Sequence, residues 1–320
     1  MKTKVIKISL IIGLLLLAFL IFKIGPKQIL ENIKSVSLAK FLILIAISIG
    51  EWVLHIYVWK IVIDRYDGEV SFLNLYGARM AGYSVSYLTP TAFLGGEPVR
   101  AMMVKCSNKK KSAASVVVDR TIHMFAMLSS IIIAIIIAVI RLSLPKEIKI
   151  VFIAFIFVSI VFATVILVKQ NQGFFMWLYR LLEKVKIKIR FLEKNKGNIE
   201  EIDNYVSDFY KNHRKIFLIV FILNCFIVLY FAGEIFLTLK FMEVEGATFL
   251  KAFLVMTLGN LTILLPYIPA SMGTYETANV LIFIMLGLGA AAGLTLTLIR
   301  RIISFIWAGT GLFIIGRAKK

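Results

Sequence analysis

The sequence predicts an all-α fold embedded in a membrane, and two observations carry that reading. Of the 320 residues 60% are hydrophobic, and the mean hydropathy is +0.89, whereas a soluble domain is nearer half apolar and breaks its apolar runs every few residues. The apolar runs here are long. Ile8–Ile24, Phe41–Ile63, Ser112–Ile140, Ile150–Val168, Ile216–Leu239 and Ala291–Ile315 each approach the roughly 20 residues a helix needs to cross a bilayer. Every backbone N–H and C=O in lipid needs an internal partner, so such runs must be helices. About six full spans are expected.

The first run follows Lys2, Lys4 and Lys7, as in a signal peptide. No small-residue cleavage pattern follows it, and Lys23 and Lys27 flank its far end. An uncleaved first span is expected. The seventh apolar stretch, Ala252–Leu288, is broken by Gly and Pro.

The net charge of +19 would raise nucleic acid as a partner for a soluble chain, but no nucleic-acid motif is present and none is expected to bind. The Lys and Arg lie mostly between spans, as in loops facing anionic headgroups. Lys105–Lys111 holds four Lys and no acid, and Lys169–Lys215 holds eleven Lys and Arg against six acids. Arg317, Lys319 and Lys320 end the sequence. These loops place both termini in the cytoplasm of a cell (plasma) membrane protein. Phe174–Lys196 mixes Phe174, Trp177, Leu178 and Leu181 with Arg180, Lys184 and Lys188, as a basic helix on the inner membrane surface would; the plainer alternative is a soluble linker helix. Cys106 and Cys225 have no partner spacing for a disulfide framework or a metal site.

An internal repeat organises the chain as one membrane domain, with 1–141 as the first half and 142–320 as the second. Gly50-Glu51 is matched by Gly233-Glu234. Pro90-Thr-Ala-Phe-Leu-Gly-Gly-Glu97 is matched by Pro269-Ala-Ser-Met-Gly-Thr-Tyr-Glu276, and Asp119-Arg120 by Arg300-Arg301. The offsets, 51 to 234, 97 to 276 and 120 to 301, are 183, 179 and 181. Three spans and one broken segment per half would invert the second half. Inverted repeats with discontinuous helices place a transporter's substrate site between them. The broken segments, about 72–104 and 251–277, are expected to be re-entrant hairpins, because their Pro and Gly cannot sustain a lipid-facing helix.

An ionisable side chain in mid-span costs about 2.5–3.5 kcal/mol on insertion scales and so needs a partner, water or a function. The candidates for a substrate headgroup are Glu97, Arg100, Asp119, Arg120, Glu276, Arg300 and Arg301, joined by the hydroxyls of Tyr87 and Tyr267. Glu51, His55 and Glu234 are candidates for proton binding or charge pairing. Glu51 and His55 share a helix face, as do Asp119 and His123. Arg300 and Arg301 point about 100° apart, so at most one is expected to face a central site. The bland reading of all these charges is mutual pairing that pins the two halves together. An arginine fork fits a phosphate better than lysine does, so the sharper reading is an anionic lipid headgroup. No Gly-x-Ser-x-Gly elbow, Walker A or His-Glu-x-x-His stretch occurs, so catalytic residues, cofactors and metals are not expected.

Gly82-Tyr-Ser-Val-Ser-Tyr-Leu-Thr-Pro90 followed by Gly95-Gly-Glu-Pro-Val-Arg100 resembles the signature segment of the lysylphosphatidylglycerol synthase transmembrane region. Val117-Val-Asp-Arg120 resembles that family's acidic-Arg span, Pro269–Glu276 its second glycine-glutamate turn, and Leu298-Ile-Arg-Arg-Ile302 its late arginine span. The second turn departs from the family's commoner Gly-x-Arg-Glu pattern, since Gly273-Thr-Tyr-Glu276 lacks the arginine. The resemblance implies a flippase-like translocase for a phospholipid, an aminoacyl-phospholipid or a lipid-linked sugar. The alternative it implies is a membrane component of lysylphosphatidylglycerol synthesis, of the phosphatidylglycerol lysyltransferase type. With Lys320 only a few residues past the last run, no room is expected for the soluble aminoacyl-transferase domain. The implied partners are an anionic or aminoacylated membrane lipid, a separate synthase or glycosyltransferase, and a second copy of the chain.

Overall fold

The computed structural model describes residues 21–22, 26–68, 70–89, 95–142, 144–185, 193–261 and 272–318. The first expected span, Ile8–Ile24, lies almost wholly outside them, as do Tyr267 and both proline turns. Among the described residues there are twelve helices. The first half holds α1 (Pro26–Ser35), α2 (Leu38–Asp67), α3 (Phe72–Leu88), α4 (Glu97–Met103) and α5 (Lys109–Arg141). Next come α6 (Lys146–Gln170), α7 (Phe174–Lys184) and α8 (Lys196–Asn212). The remainder are α9 (Arg214–Phe241), α10 (Phe249–Gly259), α11 (Thr274–Met285) and α12 (Ala290–Ala318).

Five of these helices are long and apolar enough to cross a membrane: α2, α5, α6, α9 and α12. They coincide with five of the six long runs. Their surfaces fit lipid rather than water. On α6 only Ser159, Ile166 and Gln170 are buried, while Ile150, Val151, Phe157, Val158 and Phe162 are exposed. An apolar surface that wide is satisfied by acyl chains. The chain is a multi-pass membrane protein.

Local chemistry sets several boundaries. Asn108 begins α5, its side chain accepting the Lys110 N–H at 2.8 Å; an extended Asn ahead of a helix satisfies one of the donors the first turn leaves open. Thr248 does the same for α10, accepting from Lys251 at 3.2 Å. Of the basic helix expected over Phe174–Lys196, the described part Phe174–Lys184 is helical and Val185 is its C-cap.

The chain forms two compact units. Unit 1 comprises the described residues of Met1–Leu54, Tyr76–Met103 and Ile227–Lys320. Within it α12 packs on α11 and α1, and α11 on α10. Ile29, Val280 and Leu294 form a core with Ile33, Ala290 and Leu298 around it. Unit 2 comprises His55–Leu75 and Val104–Phe226. There α8 packs on α5 and α7, and α6 on α5. The Tyr66 hydroxyl donates to the Tyr205 carbonyl at 3.1 Å, the Tyr66 ring stacks on Phe209, and Lys110 pairs with Glu201. The Trp59 indole donates to Ser115 Oγ at 3.2 Å between α2 and α5.

Candidate functional site: an interior charge network in unit 1

Faces of α2, α3 and α12 form one side of the site, and α9 and α11 bring Glu234 and Glu276. On α3, Arg79, Tyr83 and Tyr87 recur every four residues and so share a face. On α12, Arg300, Ser304, Trp307 and Gly311 follow the same rule, with Arg301 a step aside. On α2, Ser48 and Trp52 are four apart, next to Glu51. Trp307 donates to Ser48 Oγ at 3.1 Å, and Trp52 meets Tyr83 edge-on with ring centroids 4.9 Å apart. Tyr83 and Tyr87 both reach the Ser304 hydroxyl, and Tyr87 also reaches Arg301.

Glycine lets the helix backbones meet. A Cβ built at Gly311 would lie 2.1 Å from the Met80 carbonyl oxygen, and one at Gly96 would lie 1.7 Å from that of Gly82. No side chain fits either place. The first contact fixes α12 on α3. The second sets the start of α4 against α3, where the Gly96 N–H donates to Ser86 Oγ at 2.9 Å.

Two arginine–glutamate pairs sit side by side on α12, and they differ. Glu276 is fully buried. Its Oε2 accepts the Gly273 N–H at 2.7 Å, closing the start of α11, while Oε1 accepts from Arg301 Nε at 2.8 Å and from Arg301 Nη2. This pair is tight and hydrogen-bonded. The Arg300–Glu234 pair is loose, with 3.6 Å between Nη1 and Oε1, beyond a good hydrogen bond. The Arg300 guanidinium carbon lies over the Phe231 ring, 4.0 Å from its centroid. Glu234 Oε2 is buried with no hydrogen-bond partner among the described residues. Glu51 lies within electrostatic reach of both members of this loose pair, and Arg79 within reach of Glu51.

The 100° step between Arg300 and Arg301 therefore sends neither out to lipid; it gives them different carboxylates. Glu51, Glu234, Glu276, Arg300, Arg301 and Tyr87 come together in this network. At the Gly273–Glu276 turn Arg301 brings its guanidinium to Glu276 from the next helix. Glu97 and Arg100 form a local pair on α4 at 3.4 Å, with Arg100 buried.

Asp119, Arg120 and His55 belong to unit 2. Asp119 is buried and Arg120 half-buried on α5. His55 and His123 meet edge-on with ring centroids 5.1 Å apart. His123 Nδ1 lies 2.9 Å from Asn224 Oδ1, whose amide donates to the Val220 carbonyl at 2.8 Å. That donation fixes the Asn224 orientation, so its oxygen accepts and His123 carries its proton on Nδ1.

Arg79 and the indoles Trp52 and Trp307 were missed by reading charges span by span. Arg79 carried a usable signal, being an ionisable residue within the apolar stretch Phe72–Leu88. The indoles carried none, since a tryptophan in an apolar run reads as lipid-facing or core.

Comparison with known proteins places this geometry. The lysylphosphatidylglycerol synthase TM region family matches residues 6–311. A UPF0104 membrane protein of Methanothermobacter thermautotrophicus is 22% identical, over 93% of this chain and 90% of its own length. One from Pyrococcus horikoshii is 24% identical, over 94% of this chain and 93% of its own length. No solved structure matches the chain. With the match running from before α1 almost to the end of α12, the chain belongs to the lysylphosphatidylglycerol synthase transmembrane-region family.

Proposed function

We propose that this protein is a lipid translocase of the cell membrane, moving a phospholipid or related lipid with an anionic or aminoacylated headgroup between leaflets. The observation that carries the reading is the contrast between the neighbouring pairs on α12. A tight pair such as Arg301–Glu276 pins helices. A loose pair with a carboxylate oxygen that has no hydrogen-bond partner among the described residues, such as Arg300–Glu234, can open at low cost. A headgroup phosphate then takes the Arg300 fork, and an amine on the same headgroup meets Glu234. Glu51 and Arg79 complete a cluster in which no charge enters the membrane interior alone. Tyr83, Tyr87, Trp52 and Ser304 offer hydroxyl and ring contacts beside it.

The element order supports an inverted repeat. A long helix, two short helices and a long helix run from α2 to α5 and again from α9 to α12. Glu51 and Glu234 lie within the first long helix of each series, and Glu97 and Glu276 in the first turn of the second short one. With the loop charges, this supports cytoplasmic termini.

The test is leaflet-resolved lipid analysis of cells with and without the protein, using an impermeant amine-reactive label, followed by reconstitution of the lipid so identified. A fall in one lipid's outer-leaflet share at constant total, reversed by the wild type and not by Arg300→Gln, supports translocation. A fall in the total of a modified lipid instead places the chain in lipid synthesis beside a separate catalytic domain.

A further inference from the structure

Helix α7 is amphipathic, yet the described residues do not cover its apolar side. None of its residues is buried. Phe174, Trp177, Leu178 and Leu181 fall at the spacing of a single helix face, which Val185 extends. The centre of that face, Leu178, Leu181 and Val185, is among the exposed apolar surface. Arg180 and Lys184 line one shoulder of the stripe, and both are exposed.

The position of the helix is fixed at both levels. It begins four residues after the end of α6, whose own surface is lipid-facing, so its first turn sits where the chain leaves the bilayer. Lys169, in the last turn of α6, lies 5.6 Å over the Trp177 ring. An indole with a lysine beside it is typical of the headgroup level. The start of α7 is held by α8: the Asp203 carboxylate accepts the N–H groups of Phe175 and Met176 at 3.0 and 2.7 Å. Ser207 donates to the Asn171 carbonyl at 2.7 Å. This is a braced helix whose apolar stripe no described residue covers.

We infer that α7 lies in the plane of the membrane as a docking surface for anionic lipid, with Leu178, Leu181 and Val185 in the acyl boundary and Arg180 and Lys184 on headgroup phosphates. The occupant follows from charge and continuity. The stripe continues a lipid-facing span, and the segment Lys169–Lys215 carries eleven basic residues against six acids. Basic residues near an anionic surface are drawn to it, and lysine stems extend along apolar surface to reach phosphates. The assignment is independent of the translocase reading.

The experiment places a nitroxide at Leu181→Cys or Glu183→Cys in the full chain carrying Cys106→Ser and Cys225→Ser, reconstituted in phosphatidylglycerol or phosphatidylcholine vesicles. Leu181 is expected to be more accessible to oxygen than to a water-soluble nickel chelate, and Glu183 the reverse. Arg180→Glu with Lys184→Glu is expected to shift Leu181 toward water in phosphatidylglycerol and not in phosphatidylcholine. A Leu181 label open to the nickel chelate, or shielded from both reagents by protein, overturns the proposal. Equal immersion in both lipids, with and without the charge reversals, overturns its anionic part. Quenching by brominated lipid needs no cysteine change: Trp177→Phe should lower the quenchable fluorescence, and no difference from wild type would also overturn it.

Discussion

Arg301 reaches Glu276 with two nitrogens, Nε at 2.8 Å and Nη2, while the other oxygen of Glu276 accepts the Gly273 N–H. One fully buried carboxylate thus joins α12 to the first turn of α11. Removing one partner of a buried pair strands the other and costs about 3–5 kcal/mol. Arg301→Ala should lower the thermal stability of the detergent-purified protein sharply. Glu276→Gln should cost less, because its amide oxygen still accepts from Gly273. In a double-mutant cycle Arg301→Ala with Glu276→Ala should lose clearly less than the sum of the single losses.

Three glycines of α12 separate contact from empty space. Gly311→Ala drives a methyl into the Met80 carbonyl, whereas Gly309 and Gly316 have nothing within 4 Å. Gly311→Ala should abolish or strongly reduce the yield of monodisperse protein. Gly309→Ala and Gly316→Ala should keep or slightly raise stability, since Ala is better than Gly in a helix by about 0.8–1.0 kcal/mol. Size-exclusion profiles with thermal shifts distinguish the cases.

Burial pushes the Asp203 carboxyl above its ordinary value of 3.8, against the opposing pull of the two N–H groups it accepts. Its folded pKa is then above its unfolded one, so this contribution is fully present below the unfolded value and is lost as pH rises through the folded value. The docking of α7 on α8, followed by Trp177 fluorescence, should therefore weaken slightly as pH rises through the titration of the raised Asp203 carboxyl. Asp203→Asn should remove that dependence while still capping α7, and Asp203→Ala should cost about 0.5–2 kcal/mol at any pH.

Asn224 holds His123 as the Nδ1–H form across α5 and α9. Asn224→Leu removes the acceptor inside the bilayer and should cost about 1–3 kcal/mol. Nitrogen-15 spectra of the histidines should show the Nδ1–H tautomer in the wild type and its loss in Asn224→Leu.

Much of this was legible from residues alone, for physical reasons that also mark the limit. The spans show because a membrane helix needs a long unbroken apolar run, and α6 is little else. The interior charges show because lipid makes each one costly, which singled out Glu51, Glu234, Glu276, Arg300 and Arg301. Their pairing did not show. Which arginine meets which glutamate depends on how α9, α11 and α12 pack, and one residue's step along α12 decides it. Arg79 went unnoticed because Phe72–Leu88 reads as a broken segment rather than a span. The contact of Gly311 with Met80 left no trace, since a glycine in an apolar helix has many readings.

The two pairs on α12 also set an order of assembly. In each, the carboxylate is synthesised before its arginine: Glu276 leads Arg301 by 25 residues, and Glu234 leads Arg300 by more than twice that distance. Neither glutamate can therefore meet its counter-charge until α12 has left the ribosome, and until then it needs a proton, water or the insertion machinery. Biogenesis of unit 1 then closes late and from the C-terminal side, with α12 arriving as the strand of positive charge that locks in helices already waiting for it.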